Sequence, residues 1–279
     1  MPNNHNVNVG KICFSNDSEI KLILGPCQIE SRIHALETCA EINEICSKLK
    51  LKFVYKSSFD KANRSSHSSS RGVGLKKGIE ILDEVKEKFK CPIMTDVHEV
   101  DQCKMVSKVV DVIQIPAFLC RQTDLILAAG KTNCVVNVKK GQFLAPWDMK
   151  NIIEKLRSTG NEKIMLTERG TMFGYNNLVT DIRSLVIMKT FNYPVIFDAT
   201  HSVQLPGSSG KTSGGQREFV ENLAKAAVTT KISSIFIETH QNPSIAPSDG
   251  QTMISLKDLP KILHCIKLYD SLAKSEYLN

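Results

Sequence analysis

Eight apolar, β-prone runs recur along the chain and alternate with segments of helical periodicity. Each run is apolar throughout, a pattern typical of strands that are buried on both faces of a parallel sheet. The predicted strands cover residues 20–25, 53–57, 92–97, 112–117, 135–140, 163–169, 195–200 and 234–239. Since parallel strands need crossover helices, eight strand–helix units predict an α/β protein with a closed (β/α)8 TIM barrel.

The rest of the chain fits a single barrel domain that spans residues 1–279. Residues 1–19 hold two short β-prone runs with a turn signal at 16–18, which predicts an N-terminal β-hairpin capping the barrel floor. The last helix is predicted to begin at Ser255, with Asp258 three residues on as in a capping box. An open, doubly wound sheet is the alternative fold, but the sequence contains neither GxGxxG nor GxxxxGKS or GxxxxGKT.

Composition and charge narrow the class of partner. The net charge is +7, but aromatic residues make up only 6% and no basic run is interleaved with them, so no nucleic-acid surface is predicted. Residues 56–77 hold six Lys or Arg against one acid, which favours phosphorylated small-molecule substrates, although a solvated loop has the same pattern. Nine scattered Cys and no signal peptide indicate the cytoplasm, and no apolar run reaches the roughly 18–20 residues that a membrane segment needs.

Polar residues recur at the ends of the predicted strands, where a barrel of this kind forms its active site. In strand order they are Cys27; Lys56; Asp96 and His98; Gln114; Lys139; Glu168 and Arg169; Asp198 and His201; Glu238 and His240. Strand ends also tolerate polar residues because they meet water, but that explanation is weak for all eight ends together. We therefore expect these side chains to share one mouth of the barrel.

One set of these residues is cationic. Lys56, Lys139 and Arg169 lie on different strands, and Lys61 follows the second strand. A cluster of like charges is costly unless it holds an anion, and phosphate and carboxylate are the natural candidates. Lys56 and Lys139 interrupt otherwise apolar strands, which favours an anion site over a solvated surface.

A second set combines Cys27, His201, Glu238 and Asp249, from strands one, seven and eight and the loop after strand eight. Strands eight and one are neighbours in a closed barrel, so at least three of these residues can meet. A mixed sulfur, nitrogen and oxygen set suits Zn²⁺, Fe²⁺ or Mn²⁺. These residues alone leave Cys27 open as a metal ligand, as a nucleophile, or as the buried thiol that a lone Cys near a strand end more often is.

Ten motifs, in order from about residue 20 to near the C-terminus, resemble those of one enzyme family. They are GPCQIES, KSSFDKANRSS, TDVHE, QIPAFLCRQTDL, NVKKGQF, TERGTMFGYNNLV, FDATHSVQLPG, SGGQREFV, FIETH and PSDG. The chain resembles the 3-deoxy-D-manno-octulosonate 8-phosphate synthases, also called 2-dehydro-3-deoxyphosphooctonate aldolases. The resemblance implies a (β/α)8 barrel, usually a homotetramer, that condenses phosphoenolpyruvate with D-arabinose 5-phosphate in lipopolysaccharide core biosynthesis.

The resemblance also implies roles for individual residues. The candidate catalytic residues are Lys61, Asp96 and His201. The residues implied to surround phosphoenolpyruvate are Lys56, Lys61, Gln114, Pro116, Ala117, Lys139 and Arg169. Those implied to hold arabinose 5-phosphate are Asn63, Arg64 and Ser65, with Arg121 reaching the sugar phosphate of a neighbouring subunit.

The family has a metal-dependent branch and a metal-independent branch, and the two differ at the position of Cys27. The metal-independent branch carries Asn there, whereas this chain has Cys27 together with His201, Glu238 and Asp249. The resemblance therefore implies a divalent metal bound by these four residues. Gln251 departs from the small residue or proline expected after the SDG motif, which bears on the geometry of the Asp249 loop.

Two alternative functions are weighed against this one. A 3-deoxy-7-phosphoheptulonate synthase uses erythrose 4-phosphate and a similar metal set, but it typically has a KPRTS-like stretch where this chain has KANRSS. A non-catalytic barrel that binds phosphosugars or RNA would not need a four-ligand metal site.

Overall fold

The computed structural model describes residues 5–63, 71–207 and 214–275. In these ranges, eight barrel strands and eight α-helices alternate along the chain. The strands are β1 (Lys21–Gly25), β2 (Phe53–Lys56), β3 (Ile93–Asp96), β4 (Val112–Ile115), β5 (Val135–Lys139), β6 (Ile164–Glu168), β7 (Val195–Asp198) and β8 (Ser234–His240). The helices are α1 (Arg32–Leu49), α2 (Leu75–Phe89), α3 (Val100–Val106), α4 (Thr123–Gly130), α5 (Met149–Arg157), α6 (Ile182–Lys189), α7 (Val220–Val228) and α8 (Leu259–Ala273).

The eight strands form a closed parallel barrel, which confirms the predicted fold. Each strand pairs with its neighbour in sequence, and β8 pairs with β1, with Glu238 opposite Gly25. Every observed strand lies within two residues of its predicted bounds. Because all strands are parallel, their carboxyl ends open on one side, which collects the predicted polar residues.

An N-terminal hairpin closes the opposite end of the barrel. Its strands, Val7–Val9 and Ile12–Phe14, are antiparallel, and their buried side chains pack against barrel residues such as Met165 and Phe236. The turn lies at Gly10, which has a φ of 56°, and not at residues 16–18 as predicted from sequence.

Residues 16–18, predicted as the hairpin turn, instead connect the hairpin to the barrel. Asn16 is buried and joins the hairpin to the start of β7: its amide donates to the Tyr193 carbonyl at 2.9 Å and accepts from the Val195 N–H at 2.9 Å. These contacts give the buried Tyr193 carbonyl and Val195 N–H hydrogen-bond partners at the start of β7.

The helices cover the outside of the barrel and bury one face each against it. The start predicted for α8 was wrong: the helix begins at Leu259, after a short strand, Ile254–Ser255, that extends the sheet beside β8. Ser255 still accepts a hydrogen bond from the Asp258 N–H at 3.2 Å, so the capping contact forms one turn before the helix. In the parts of the chain that the structure describes, no helix combines the length and apolar character needed to cross a bilayer.

Candidate active site

Two adjoining cavities open at the carboxyl ends of the strands, with volumes of about 180 and 370 Å³. The smaller one lies over the barrel axis, and the larger one extends beneath the loops after β7 and β8. Both are lined by Lys61, Asn63, Phe118, Arg169 and His201. These shared residues make the cavities parts of one site.

A buried hydrogen-bond cluster holds Lys56 at the end of β2. Its ammonium lies 3.2 Å from Asp96 Oδ2 and 3.3 Å from Glu238 Oε1, and it donates to Ser58 Oγ at 3.0 Å. Burial acts to lower the pKa of Lys56, but Asp96 and Glu238 outweigh it and raise the pKa overall. Lys56 is therefore a charged residue whose charge is already balanced by the protein.

Asp96 is fixed from both sides at the end of β3. Ser58 donates to its Oδ2, and the Gln114 amide donates to its Oδ1 at 2.5 Å. The Gln114 carbonyl in turn accepts from Asn137 at 2.9 Å. This chain of side chains crosses three neighbouring strands, so Gln114 orients Asp96 and does not line either cavity itself.

Asp198, at the end of β7, organises the opposite wall. Its Oδ2 lies 2.5 Å from Lys139 Nζ and 2.7 Å from His201 Nδ1, and its Oδ1 accepts from the His201 backbone N–H at 2.9 Å. Burial acts to raise the pKa of Asp198, but His201 and Lys139 outweigh it, so the pKa lies well below the usual range of a carboxyl group. The contact at Nδ1 leaves His201 Nε2 pointing towards Glu238, 3.5 Å from its Oε2.

Lys61 and Arg169 differ from the other two cations of the site. Among the described residues, neither the Lys61 ammonium nor the Arg169 guanidinium lies within 4 Å of a carboxylate oxygen, although both side chains line both cavities. The Lys61 ammonium donates to Ser58 Oγ at 3.1 Å, while Arg169 donates through Nη2 to the His201 carbonyl at 2.7 Å and to Gln204 Oε1 at 2.6 Å. Arg169 Nε is buried and finds no acceptor in the described parts of the chain.

The pKa of Lys61 is strongly raised: burial acts to lower it, but nearby Cys27, Glu238 and Asp96 outweigh that effect. Lys61 therefore stays protonated. Two cations with free hydrogen-bonding capacity face one enclosed space, which is the arrangement that binds phosphate and carboxylate groups.

Three of the four predicted metal ligands come together beside this cation pair. One donor atom each of Cys27, Glu238 and Asp249 lies within 4.8 Å of the other two. Cys27 Sγ donates to Asp249 Oδ2 at 2.9 Å, and burial, together with Asp249 and Glu238, raises the pKa of the thiol well above its usual range. Glu238 Oε2 is buried and has no hydrogen-bond partner among the described residues. His201 Nε2 lies 3.5 Å from this oxygen, so the fourth predicted ligand adjoins the group at Glu238 without belonging to it.

A second cluster of possible ligands, Glu30, His34 and His240, lies just outside the barrel mouth. His240 Nδ1 accepts a hydrogen bond from the Asn242 N–H at 2.9 Å, so in the neutral ring Nε2 carries the proton and donates to Glu30 Oε1 at 2.8 Å. A protonated nitrogen has no lone pair for a metal. His240 therefore forms a structural hydrogen bond to Glu30, before α1, and is not available as a metal ligand.

The structure places most predicted site residues in or beside the cavities. Asn63, Pro116 and Ala117 line the smaller cavity together with Lys56, Lys61, Asp96, Lys139, Arg169 and His201. Arg121 does not join them: it is exposed, two residues beyond the short 3-10 helix Ala117–Leu119. Arg64 and Ser65 lie outside the described residues.

Two functional contacts were missed by the sequence analysis. Ser58 joins Lys56, Lys61 and Asp96, and Gln204 joins Arg169 to Asp249, to which it donates at 2.5 Å. Only the positions of Ser58 and Gln204 in the sequence could have indicated these roles, since each follows a charged strand-end residue within one of the ten motifs. Asp198, noted as a strand end, was given no role, although it holds both Lys139 and His201.

Comparison with known proteins assigns the chain to a family. The model of the DAHP synthetase I family matches residues 3–275. This chain belongs to the DAHP synthetase I family. The match covers the barrel, the hairpin and every residue of the site described above.

Several similar relatives carry the name 2-dehydro-3-deoxyphosphooctonate aldolase. The protein from Bartonella bacilliformis is 58% identical over 273 residues, covering 98% of this chain and 97% of that protein. The protein from Bartonella tribocorum is 57% identical and that from Brucella anthropi 54% identical, each over 271 residues that cover 97% of this chain and 98% of the relative. The resemblance drawn from the ten motifs is confirmed.

Proposed function

We propose that the chain condenses phosphoenolpyruvate with D-arabinose 5-phosphate and water, giving 3-deoxy-D-manno-octulosonate 8-phosphate and inorganic phosphate. The name of the relatives supports this reaction over that of a 3-deoxy-7-phosphoheptulonate synthase. The structural observation that carries the proposal is the pair Lys61 and Arg169, two cations without a carboxylate partner that face one cavity. The reactants supply the missing negative charge: an anionic group of phosphoenolpyruvate for Arg169, and the charge that develops on the sugar aldehyde oxygen for Lys61.

In this reaction, C3 of phosphoenolpyruvate forms a bond to the sugar aldehyde, water adds at C2, and the bond from C2 to the phosphate oxygen breaks. Lys139 and Arg169 are suited to bind the phosphate and carboxylate, since their side chains enter the cavity from adjacent strands. The protonated Lys61 would stabilise the negative charge that develops on the aldehyde oxygen. Holding two anionic substrates in contact accounts for much of the expected rate enhancement.

We also propose that Cys27, His201, Glu238 and Asp249 bind a divalent metal, with Zn²⁺, Fe²⁺ and Mn²⁺ as the candidates. The residues fit such an ion, because Glu238 Oε2 has no hydrogen-bond partner among the described residues and Cys27 Sγ lies 2.9 Å from Asp249 Oδ2, so sulfur and oxygen donors converge. When bound, the ion would orient the sugar aldehyde or lower the pKa of the attacking water. Asp198 holds His201 so that Nε2 faces Glu238.

One assay tests the reaction and separates the alternatives. Phosphate release from phosphoenolpyruvate is measured with arabinose 5-phosphate, with erythrose 4-phosphate and with no sugar. We expect release with arabinose 5-phosphate alone, whereas faster release with erythrose 4-phosphate would favour the heptulosonate reaction and no release at all would favour a binding protein. In the same assay, Lys61→Met should lower kcat at least about 100-fold, while Lys76→Met, at an exposed site, should leave it unchanged.

For the assembly, we propose a cytoplasmic homotetramer of single-domain subunits in which Arg121 reaches the sugar phosphate in a neighbouring site. The exposed position of Arg121 beside the cavity rim supports this role. So does an exposed apolar patch formed by Phe143, Trp147 and Phe173, which are 52%, 62% and 77% accessible. A patch of this kind is typical of a protein–protein interface.

Subunit complementation tests the shared site. Arg121→Ala and Lys61→Met subunits are each expected to be nearly inactive as homo-oligomers. Mixed oligomers would contain sites with an intact Lys61 from one subunit and an intact Arg121 from the next, so part of the activity should return. Sedimentation of the native protein as a monomer, or no recovery on mixing, would count against the proposal.

A further inference from the structure

Behind the cavity wall lies a buried ion pair that no step of the proposed reaction uses. Lys140, directly after β5, and Glu168, at the end of β6, have accessibilities of 0% and 1%, and Lys140 Nζ lies 3.7 Å from Glu168 Oε2. Neither residue lines either cavity. A buried pair of this kind adds little stability by itself, because desolvation offsets the attraction between the charges.

The hydrogen bonds of Glu168 hold the backbone that follows β6. Its Oε1 accepts from the N–H groups of Arg169 and Gly170, at 2.9 and 2.7 Å. Its Oε2 accepts from Ser184 Oγ of α6 at 2.8 Å. Gly170 has a φ of 90°, a conformation that most residues avoid, so Glu168 secures an unusual turn immediately beyond Arg169.

Lys140 holds the backbone of the loop after β5 by hydrogen bonds in a similar way. Its ammonium donates to the carbonyls of Gly141 and Leu144 at 3.1 and 3.0 Å, and to Thr171 Oγ1 of the neighbouring loop at 3.1 Å. Burial lowers the pKa of Lys140, although nearby Glu168 acts to raise it. The pair therefore ties together the two loops that begin with the cavity residues Lys139 and Arg169.

From this geometry we propose that Lys140 and Glu168 are positioning residues that set the spacing of Lys139 and Arg169, and thereby the affinity for phosphoenolpyruvate. This inference rests on the proposed function, in which Lys139 and Arg169 bind that substrate. We expect the effect on phosphoenolpyruvate alone, because among the described residues the hydrogen bonds of the pair go to the loops after β5 and β6 and to α6, and none goes to Asn63.

The test compares Glu168→Ala with Glu168→Gln in the phosphate-release assay. Loss of the two backbone acceptor contacts in Glu168→Ala should raise KM for phosphoenolpyruvate at least about tenfold, with KM for arabinose 5-phosphate within about twofold of wild type. Glu168→Gln keeps an oxygen that can accept from both N–H groups and should recover most of the affinity. Glu154→Gln, at an exposed ion pair on α5, is the matched control and should change neither KM.

A merely structural role predicts a different result: fewer folded molecules, a lower apparent kcat, and unchanged KM values for both substrates. That result, or an equal rise in both KM values, overturns the proposal.

If Glu168→Ala does not fold, Ser184→Ala removes one contact of the same carboxylate and should raise KM for phosphoenolpyruvate about threefold. Calorimetry compares the affinity of wild type and the variants for phosphoenolpyruvate without turnover. If the wild-type protein releases no phosphate, the proposed reaction is refuted, but these affinities still test the positioning role.

Discussion

Asp198 contacts His201 twice, once at the ring Nδ1 at 2.7 Å and once at the backbone N–H at 2.9 Å. The carboxylate therefore fixes both the orientation of the imidazole and the nitrogen that is left for the cavity. In the same way it holds Lys139 at 2.5 Å, so one buried group positions a proposed metal ligand and a proposed substrate ligand.

Asp198→Asn tests this arrangement. An amide has one acceptor oxygen, so its NH2 group must face either the His201 backbone N–H or the pair formed by His201 Nδ1 and Lys139 Nζ, all of which donate to Asp198. One contact to His201 is therefore lost, and with it the fixed orientation of the ring. Metal affinity should fall about 10–100-fold, measured by competition with a chromogenic chelator. The exposed Asp124→Asn is the control and should bind metal like wild type; equal affinity in Asp198→Asn would show that His201 is not positioned for a metal.

Removal of the metal gives a second prediction, centred on Cys27. Chelator treatment should abolish activity, and a divalent ion should restore it. Cys27→Ala should retain less than about a tenth of the wild-type metal content after dialysis, because one of four ligands is lost, as measured by plasma mass spectrometry. Cys27→Asn should tolerate metal loss better than Cys27→Ala, and full activity of the wild type in a rigorously metal-free preparation would refute the metal proposal.

The pKa of Asp96 leads to a prediction of how the free energy of unfolding depends on pH. Burial acts to raise the pKa of Asp96, but Lys56, Lys61 and Lys139 outweigh it, so the pKa lies well below its usual range. The unfolded chain then binds a proton at a higher pH than the folded one, and the stabilisation is present above about pH 4 and lost as the pH falls below it.

The measurement is the free energy of unfolding by urea between pH 5 and pH 2.5. In wild type, Asp96 should contribute a slope of about 1.4 kcal/mol per pH unit below pH 4. Asp96→Asn should be less stable at pH 6 and should have a shallower slope in acid, while Asp124→Asn keeps the wild-type slope. Parallel curves for Asp96→Asn and wild type would contradict the assignment.

Gly25 gives a prediction about the barrel itself. A Cβ at this position would lie 1.9 Å from the Lys56 carbonyl oxygen, which is a backbone atom and cannot rotate away. Gly25→Ala should therefore separate β1 from β2 and lower the free energy of unfolding by about 1–3 kcal/mol, with a loss of activity because Cys27 and Lys56 both move. Gly174→Ala controls for backbone strain: this glycine also has a positive φ, of 96°, but nothing lies within 4 Å of the added carbon, so the substitution should cost less than Gly25→Ala.

Much of this arrangement was predictable because strand periodicity and strand order are local properties of the sequence. The strand bounds were correct to within two residues, and the barrel topology then requires that strand ends such as Lys56, Asp96 and Lys139 share one mouth. The turn of the N-terminal hairpin was predicted wrongly, because Asn16 resembles a turn residue in sequence but bonds to Tyr193 and Val195, almost 180 residues away.

The sequence by itself determined the barrel, the side on which its polar residues gather, and the residue types available there. Only the tertiary structure decided which charges are already paired. Lys56 and Lys139 are balanced by carboxylates, whereas the Lys61 ammonium and the Arg169 guanidinium have no carboxylate oxygen within 4 Å among the described residues. The physical reason is that pairing depends on distances of a few ångströms between side chains from different strands. Spacing along the chain does not encode those distances, so the functional difference between similar cations appears only when the barrel closes.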